Sequence, residues 1–403
     1  MTNGIFDGIR VVEVATWTFV PAAGAVLADF GADVIKVEHP RGGDPQRGLA
    51  TGGYIPGSQG ISLTTEQTNR GKRSIGIDLS AEQGRGLLLE LIASADVFMT
   101  NLLPAARQKL GVDVQDVRAR HPMIVYVRAD ATGPKGPEAG KPGYDSGVFF
   151  ARAGILDAFT SPGADEPVAA QPGFGDKTGA MNIAFGVAAA LLRRERTGAG
   201  SLVDVSLLAS AVWVNSSDII YSKALGRDFT RTVRPIRNPI AASYRTADGR
   251  WICLTMLESD RWWDDFCHHV GRHDLRDDER FCDAAARETN SDACVAEIQK
   301  TFAQLGLSEW RARLETMAGP WAVVQNQLEV LEDPQAKANG YISQVEHPSG
   351  QTITVVRAPV MFDEVPPDLR SAPEASAQTE EILLELGHDW DEIGAWKDSG
   401  VIA

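Results

Sequence analysis

The stretch IRVVEVATWTFVPAAGAVLADFGADVIKVE, Ile9 to Glu38, decides the fold. Ile9 to Val14 is a short apolar run interrupted by charge. Pro21 to Phe30 reads as a helix with Pro at its start and Gly31 just past its end, and Asp33 to Glu38 reads as a second strand. Strand, helix and strand in this order make a βαβ unit. A dinucleotide-binding version carries Gly-x-Gly-x-x-Gly after its first strand. Here Ala15-Thr16-Trp17-Thr18-Phe19-Val20 fills that turn with bulky side chains, which disfavours a nicotinamide or flavin dehydrogenase.

The alternation continues outward. After a Gly-rich loop from Gly42 to Gly60, Ile75-Gly76-Ile77-Asp78-Leu79 reads as a strand. Ser80-Ala81-Glu82-Gln83 reads as a capping box opening a helix with Leu87, Leu88, Leu91, Ile92 and Ala95 on one face. Strands are expected at Val97 to Met99 and Met123 to Val127 with a helix between them, and Asp96 reads as a residue that starts a strand rather than a catalyst. The fold class is therefore α/β, a parallel, doubly wound sheet with ligands at the C-terminal ends of its strands. Arg196-Thr197-Gly198-Ala199-Gly200 is a tight turn into a strand at Leu202 to Ser206, and composition shifts near Gly226. From about Arg227 to Gln325 the chain holds most of its tryptophans and short charged helices, such as Asp260 to Val270 and Ser308 to Glu315, and reads as a smaller domain. Gln344 to Phe362 reads as short strands and Ala377 to Leu386 as an amphipathic helix stopped by Gly387.

The 403 residues are 43% hydrophobic, with 39 basic against 54 acidic residues and a formal net charge of −15. That balance argues against nonspecific binding to nucleic acid or anionic membranes, so a polyanionic ligand must meet a local basic cluster. The first residues lack the cationic start and apolar core of a signal peptide, and no apolar run is long enough to span a membrane; the expectation is a soluble, cytoplasmic protein. Cys253, Cys267, Cys282 and Cys294 form no Cys-x-x-Cys pair and are expected to be reduced. His269 and His273 lie four apart near Asp264 and Asp265, but Gly271 stands between them and no third ligand is evident, so no metal site is expected.

The chemistry-bearing stretch is Gly173-Phe174-Gly175-Asp176-Lys177-Thr178-Gly179-Ala180, a carboxylate between glycines, followed by the most apolar helical run of the chain, Ala180 to Leu192. Asp176 then sits at or just before a helix N-terminus, where free N–H groups and the macrodipole favour an ionised carboxylate; Gly175 and Gly179 leave room for a ligand. The plainer reading makes Asp176 an N-cap. Arg70, Lys72 and Arg73, within four residues and beside the Gly-rich loop, are either a solvated face or a phosphate-binding cluster. Lys109, Lys135 and Lys141 are further cations in loop-rich surroundings.

Together these pieces resemble the family III CoA-transferases, the group that includes formyl-CoA and carnitine CoA-transferases and the related α-methylacyl-CoA racemases. The resemblance covers nearly the whole chain. It rests on Leu27 to Glu38, Asn69-Arg70-Gly71-Lys72-Arg73-Ser74, Pro142-Gly143-Tyr144-Asp145, Gly175-Asp176 with Gly179, Arg196 to Gly200 with Val203 to Leu208, Asp333-Pro334-Gln335 and Gly400-Val401-Ile402. It implies a large Rossmann-like domain from residues 1–225, continued by a C-terminal segment 326–403. It also implies an inserted smaller α+β domain over 226–325 and an interlocked homodimer. By the same resemblance Asp176 is the catalytic residue, and Trp17, Thr18, His39, Arg73, Asn101, Leu102, Ala106, Lys109 and Leu110 touch CoA, with Arg70 and Lys72 near its phosphates. The substrates are an acyl-CoA and a free carboxylic acid. No tightly bound cofactor is implied, CoA being itself part of the substrate.

The racemase branch uses a Gly-His-Asp motif as acid and base on the α-carbon. Here the motif is Gly143-Tyr144-Asp145, and a Tyr is a poor base at neutral pH, so acyl transfer is favoured over proton shuttling. A racemase or epimerase and a non-catalytic acyl-CoA-binding relative are the alternatives. Tyr144, Asp145 and Gly175 are taken to border the substrate. Arg128 is either a partner for an acceptor carboxylate or an exposed arginine.

Overall fold

The computed structural model describes residues 4–53, 60–229 and 236–403. The chain forms two compact units: Met1–Thr160, Asp165–Phe229 and Gln335–Ala403 make the first, and Ser161–Ala164 with Thr230–Pro334 the second. In the first unit β1 (Arg10–Val14), β2 (Asp33–Glu38), β3 (Arg73–Gly76), β4 (Val97–Thr100), β5 (Val125–Asp130) and β6 (Ser201–Ser206) form one sheet in the order β3-β2-β1-β4-β5-β6. Every neighbouring pair is parallel, with Val11 opposite both Val34 and Val97. Side chains alternate across the sheet. Val11, Val34, Val97, Met99, Val125 and Val127 pack under the Phe19–Asp29 and Phe174–Thr197 helices. Val12, Ile35, Phe98 and Tyr126 pack under Leu87, Leu88, Leu91 and Ile92 of the Glu82–Ala93 helix and under Ile382 and Leu383. Strand order changes direction between β1 and β4, so the loops leaving these two strands part and open a crevice.

Several element boundaries differ from the sequence expectation for local reasons. The first helix begins at Phe19, with Pro21 inside its first turn, where the missing N–H has no helical partner to lose. Ser80 does not cap: the Glu82–Ala93 helix follows Ala81, and the Ser80 N–H instead donates to Asp78 Oδ1 at 2.8 Å. Two short helices, Pro104–Leu110 and Val114–Arg120, replace the single one expected between β4 and β5, because Gly111 turns left-handed at φ 67°. Asp96 behaves as expected, its Oδ2 accepting from the Arg10 N–H at 2.8 Å beside β4.

Charged side chains lie at the heart of the apolar sheet. Glu13 and Lys36 are register partners on β1 and β2, and both side chains are fully buried. Lys36 Nζ reaches Glu13 Oε1 at 3.0 Å, Asp44 Oδ2 at 2.9 Å and the Ala15 carbonyl at 2.9 Å. Lys72 Nζ reaches Glu13 Oε2 at 2.8 Å, the Pro21 carbonyl at 2.8 Å and Asn69 Oδ1 at 3.0 Å. Burial opposes the charge on Glu13, but the two ammonium groups prevail and hold its carboxyl below the usual range. Gly24 makes the space, since a Cβ there would stand 2.2 Å from Glu13 Oε2.

β3, at the edge of the sheet, is covered by the C-terminal segment. The Ser74 N–H donates to Gln378 Oε1 and its carbonyl accepts from the Gln378 N–H; the Gly76 N–H donates to Thr379 Oγ1, and Ile77 bridges to Ile402. These contacts leave the edge little free to pair with another chain.

The second unit has a three-stranded antiparallel sheet, Ser243–Arg245, Trp251–Leu254 and Trp321–Val323, with helices around Phe266, Phe281, Phe302 and Trp310. All four cysteines are free. His269 Nδ1 lies 2.8 Å from the Asp265 carbonyl, and no group of three potential metal ligands occurs among the described residues. No helix among them is long and apolar enough to cross a membrane.

Replacing Glu13 by Gln leaves two buried ammonium groups short of a counter-charge. The expected loss is about 3–5 kcal/mol of unfolding free energy, read from urea denaturation at pH 7; a loss under 1 kcal/mol contradicts the assigned network.

Candidate active site

Gly173, left-handed at φ 81°, is the N-cap of the Phe174–Thr197 helix, so Asp176 lies within the first turn and is not itself the cap. The flanking glycines serve packing rather than ligand access: a Cβ on Gly175 would stand 2.4 Å from the Phe149 ring, and one on Gly179 2.4 Å from Phe19 Cε2. That corrects the expectation of open space at both. The helix is thereby drawn onto Phe149 and onto the first helix of the βαβ unit.

Asp145 completes the local arrangement. It precedes a helix of wide, π-type turns, Ser146–Arg152, is buried, and accepts the Gly175 N–H on Oδ2 at 3.2 Å. It therefore tethers the start of the Asp176 helix and sets a second negative charge beside it. Burial first, then the Asp145 charge, pushes the Asp176 carboxyl up to about 7, against the opposing pull of Lys177.

Asp176 lines a cavity of about 380 Å³ with Thr16, Trp17, Phe19, Asn101, Leu102, Leu103, Ala106, Ala129, Asp130, Ala131, Lys141, Pro142, Gly143, Tyr144 and Leu207. Its walls come from the loops after β1, β4 and β5 and the helix after β6, so it opens at the C-terminal ends of the strands and spans the crevice. Asn101 ties the loops together, its Nδ2 donating to the Thr16 carbonyl at 2.8 Å and its Oδ1 accepting the Thr16 N–H at 3.2 Å. Trp17 is a non-glycine residue at φ 69°, a costly conformation. Its N–H donates to Asp44 Oδ1 at 3.1 Å, and its ring meets the Tyr144 ring edge-on at 5.9 Å. A neighbouring cavity of about 390 Å³ shares Thr16 and Leu102 and is lined also by His39, Asp44, Asp78 and Leu110.

The residues singled out in the sequence thus divide. Trp17, Asn101, Leu102, Ala106, Tyr144 and Asp176 meet in one cavity, and His39, Leu102 and Leu110 in the next. Thr18 lines neither, its hydroxyl accepting from Gln46 Nε2 at 2.8 Å, and Lys109 is exposed on the Pro104–Leu110 helix. The basic cluster does not form a shared surface. Lys72 is enclosed by Glu13, and Arg70 is buried against Asp29 at 2.6 Å, beside a separate apolar cavity of about 440 Å³. Arg73 opens β3 at the opposite end of the sheet from both of these cavities, held by Asp33 at 2.7 Å and Glu385 at 2.7 Å. The geometry therefore corrects the phosphate role for these three: each guanidinium or ammonium is already occupied by carboxylates. Arg128 is likewise clamped by Asp204, at 2.7 and 3.1 Å, and does not line the cavity. Sequence reasoning missed Phe149 and Asp44; an apolar Val-Phe-Phe run and one acid in a Gly-rich loop carry no signal of their own.

A crevice at the C-terminal ends of a doubly wound sheet, with a carboxylate facing it, is where this fold class takes its ligands. The family model described as CoA-transferase family III matches residues 6–379, and the chain belongs to that family. It is 34% identical to the cinnamoyl-CoA:phenyllactate CoA-transferase of Clostridium sporogenes, over 97% of this chain and 95% of that one. It is 30% identical to the (R)-2-hydroxy-4-methylpentanoate CoA-transferase of Clostridioides difficile, over 99% of both chains. Among solved structures, a CaiB/BaiF family protein from Brucella suis superposes with a TM-score of 0.83 at 29% identity, covering 96% of this chain and all of that one.

The raised Asp176 carboxyl has a consequence for stability. Its folded value lies above the unfolded one, so ionisation costs stability as pH rises from about 4 and the full cost is reached above about 7. Asp176→Asn is expected to raise the melting temperature at pH 8 and to leave it nearly unchanged at pH 4. Equal shifts at both pH values contradict the assignment.

Proposed function

We propose that this CoA-transferase works through Asp176 as a covalent nucleophile, moving CoA from an acyl-CoA to a free carboxylic acid. The observation that carries this reading is the position of a carboxylate with a value near 7 in the same cavity as Trp17, Asn101, Leu102 and Ala106. The ionised Asp176 attacks the thioester carbonyl, the C–S bond breaks, and an acyl-aspartyl anhydride and CoA thiolate result. The thiolate then attacks the aspartyl carbonyl, releasing the donor acid and leaving an aspartyl-CoA thioester. An acceptor carboxylate attacks that thioester to form a second anhydride. The thiolate attacks its acyl carbonyl, giving the new acyl-CoA and regenerating Asp176.

The electrostatics favour this sequence. Burial and Asp145 destabilise a charged Asp176, and acylation removes that charge just as protonation does. Tyr144, 64% exposed at the cavity edge, stands where a racemase needs a histidine.

In this reading residues 1–225 and 326–403 form the CoA-binding domain and 226–325 the smaller one, and the protein works in the cytoplasm as an interlocked homodimer. The helices Leu207–Val214 and Ser216–Leu225 support a dimer, exposing Trp213, Val214, Ile220, Tyr221 and Leu225 in one sequence stretch.

Intact-protein mass spectrometry after mixing with acyl-CoA thioesters, with peptide mapping and hydroxylamine treatment, tests the mechanism. A labile CoA or acyl adduct on Asp176 is expected, and Asp176→Ala is expected to lose turnover by about 10⁴-fold or more. α-Proton exchange without an adduct points to a racemase, and tight CoA binding with neither signal to a binding protein. The rate of adduct formation at low thioester concentration is expected to rise through pH about 7 and level off. Asp145→Asn, which removes the like charge, is expected to move that rise to lower pH; an unmoved profile overturns the role given to Asp145.

A further inference from the structure

The cavity that holds Asp176 has a marked charge pattern on the side away from the β1 and β4 loops. That side is formed by Ala129, Asp130 and Ala131 at the end of β5 and by Leu207 after β6. Asp130 is the last residue of β5 and half-buried; its Oδ1 accepts the Gly133 N–H, and its Oδ2 makes no hydrogen bond among the described residues. The charges acting on Asp176 are Asp145 and Lys177, so Asp130 is a separate acidic feature of the same cavity.

Neither guanidinium near it is free to balance it. The guanidiniums that reach Asp130 electrostatically are Arg128 and Arg107. Arg128 already clamps Asp204, and Arg107 holds Asp113 at 2.9 Å. Two cations thus face three carboxylates, and neither arginine lines the cavity. Lys141, the single cation among the described lining residues, is exposed and lies 3.3 Å from Glu138 Oε1. Lys177 lines the separate apolar cavity.

We infer that Asp130 determines specificity, making this an acyl pocket for monocarboxylic acids with an apolar alkyl or aryl body and excluding acids that carry a second carboxylate. The inference rests on Asp176 being the acylated residue. In the cavity that an acyl group on Asp176 enters, Phe19, Ala129, Ala131 and Leu207 suit hydrocarbon. A second carboxylate there meets the Asp130 charge, an arrangement that discriminates by repulsion rather than by an added contact.

The test is the rate of CoA-adduct formation on Asp176 in single turnovers, followed by mass spectrometry, with butanoyl-, pentanoyl- and 3-phenylpropanoyl-CoA against succinyl- and glutaryl-CoA. The wild-type protein is expected to favour the first three by about 100-fold or more. Asp130→Asn is expected to reduce that ratio by about 10-fold, chiefly by accelerating the dicarboxylic thioesters, with Asp130→Ser as the second variant should the first not fold. Dicarboxylic thioesters reacting within about threefold of the others, or a ratio unchanged in a folded variant, overturn the inference and leave the Asp176 mechanism standing. Absence of any adduct with all five thioesters overturns both.

Discussion

The contact on which the first unit depends is Glu13 between two lysines inside a parallel sheet. A carboxylate and two ammonium groups without water are costly unless every remaining donor and acceptor is met, and here backbone carbonyls and Asn69 meet them. Because the Lys36 ammonium also holds the Ala15 carbonyl and Asp44, and Asp44 in turn holds the Trp17 N–H, the network reaches the loop after β1. The left-handed conformation of Trp17 persists because that loop is fixed from below by Asp44 and from the side by Asn101. The cavity wall is thus an extension of the buried charges.

A second constraint works at the other wall. Phe149 and Phe19 occupy the positions where Cβ atoms on Gly175 and Gly179 would be, which brings the Asp176 helix close to its neighbours. Asp145 occupies the Gly175 N–H and at the same time destabilises the charge on Asp176. One residue therefore both positions the helix and raises the Asp176 carboxyl, so packing and electrostatics at this wall are set together.

The alternation of apolar strands and helices was legible in the sequence because a doubly wound sheet buries whole strands, and the βαβ unit of Ile9 to Glu38 lies close to where it was expected. Asp176 was legible through its glycines, although their purpose was not: a glycine that admits a ligand and one that admits a phenylalanine look alike in one dimension. The basic residues Arg70, Lys72 and Arg73 misled for a related reason. Their partners, Asp29, Glu13, Asp33 and Glu385, lie 40 or more residues away and become visible only when the strands are in register. In a chain with this excess of acid, a run of cations is more readily consumed by internal carboxylates than left for a ligand.

The covering of β3 has a bearing on how the chain is made. During synthesis the edge of the sheet stays bare through about three hundred residues of growth, until Ser376, Gln378, Thr379 and Ile402 leave the ribosome. Over that interval the nascent sheet offers unpaired N–H and C=O groups to neighbouring chains, which makes this edge the place where a chaperone has most to protect.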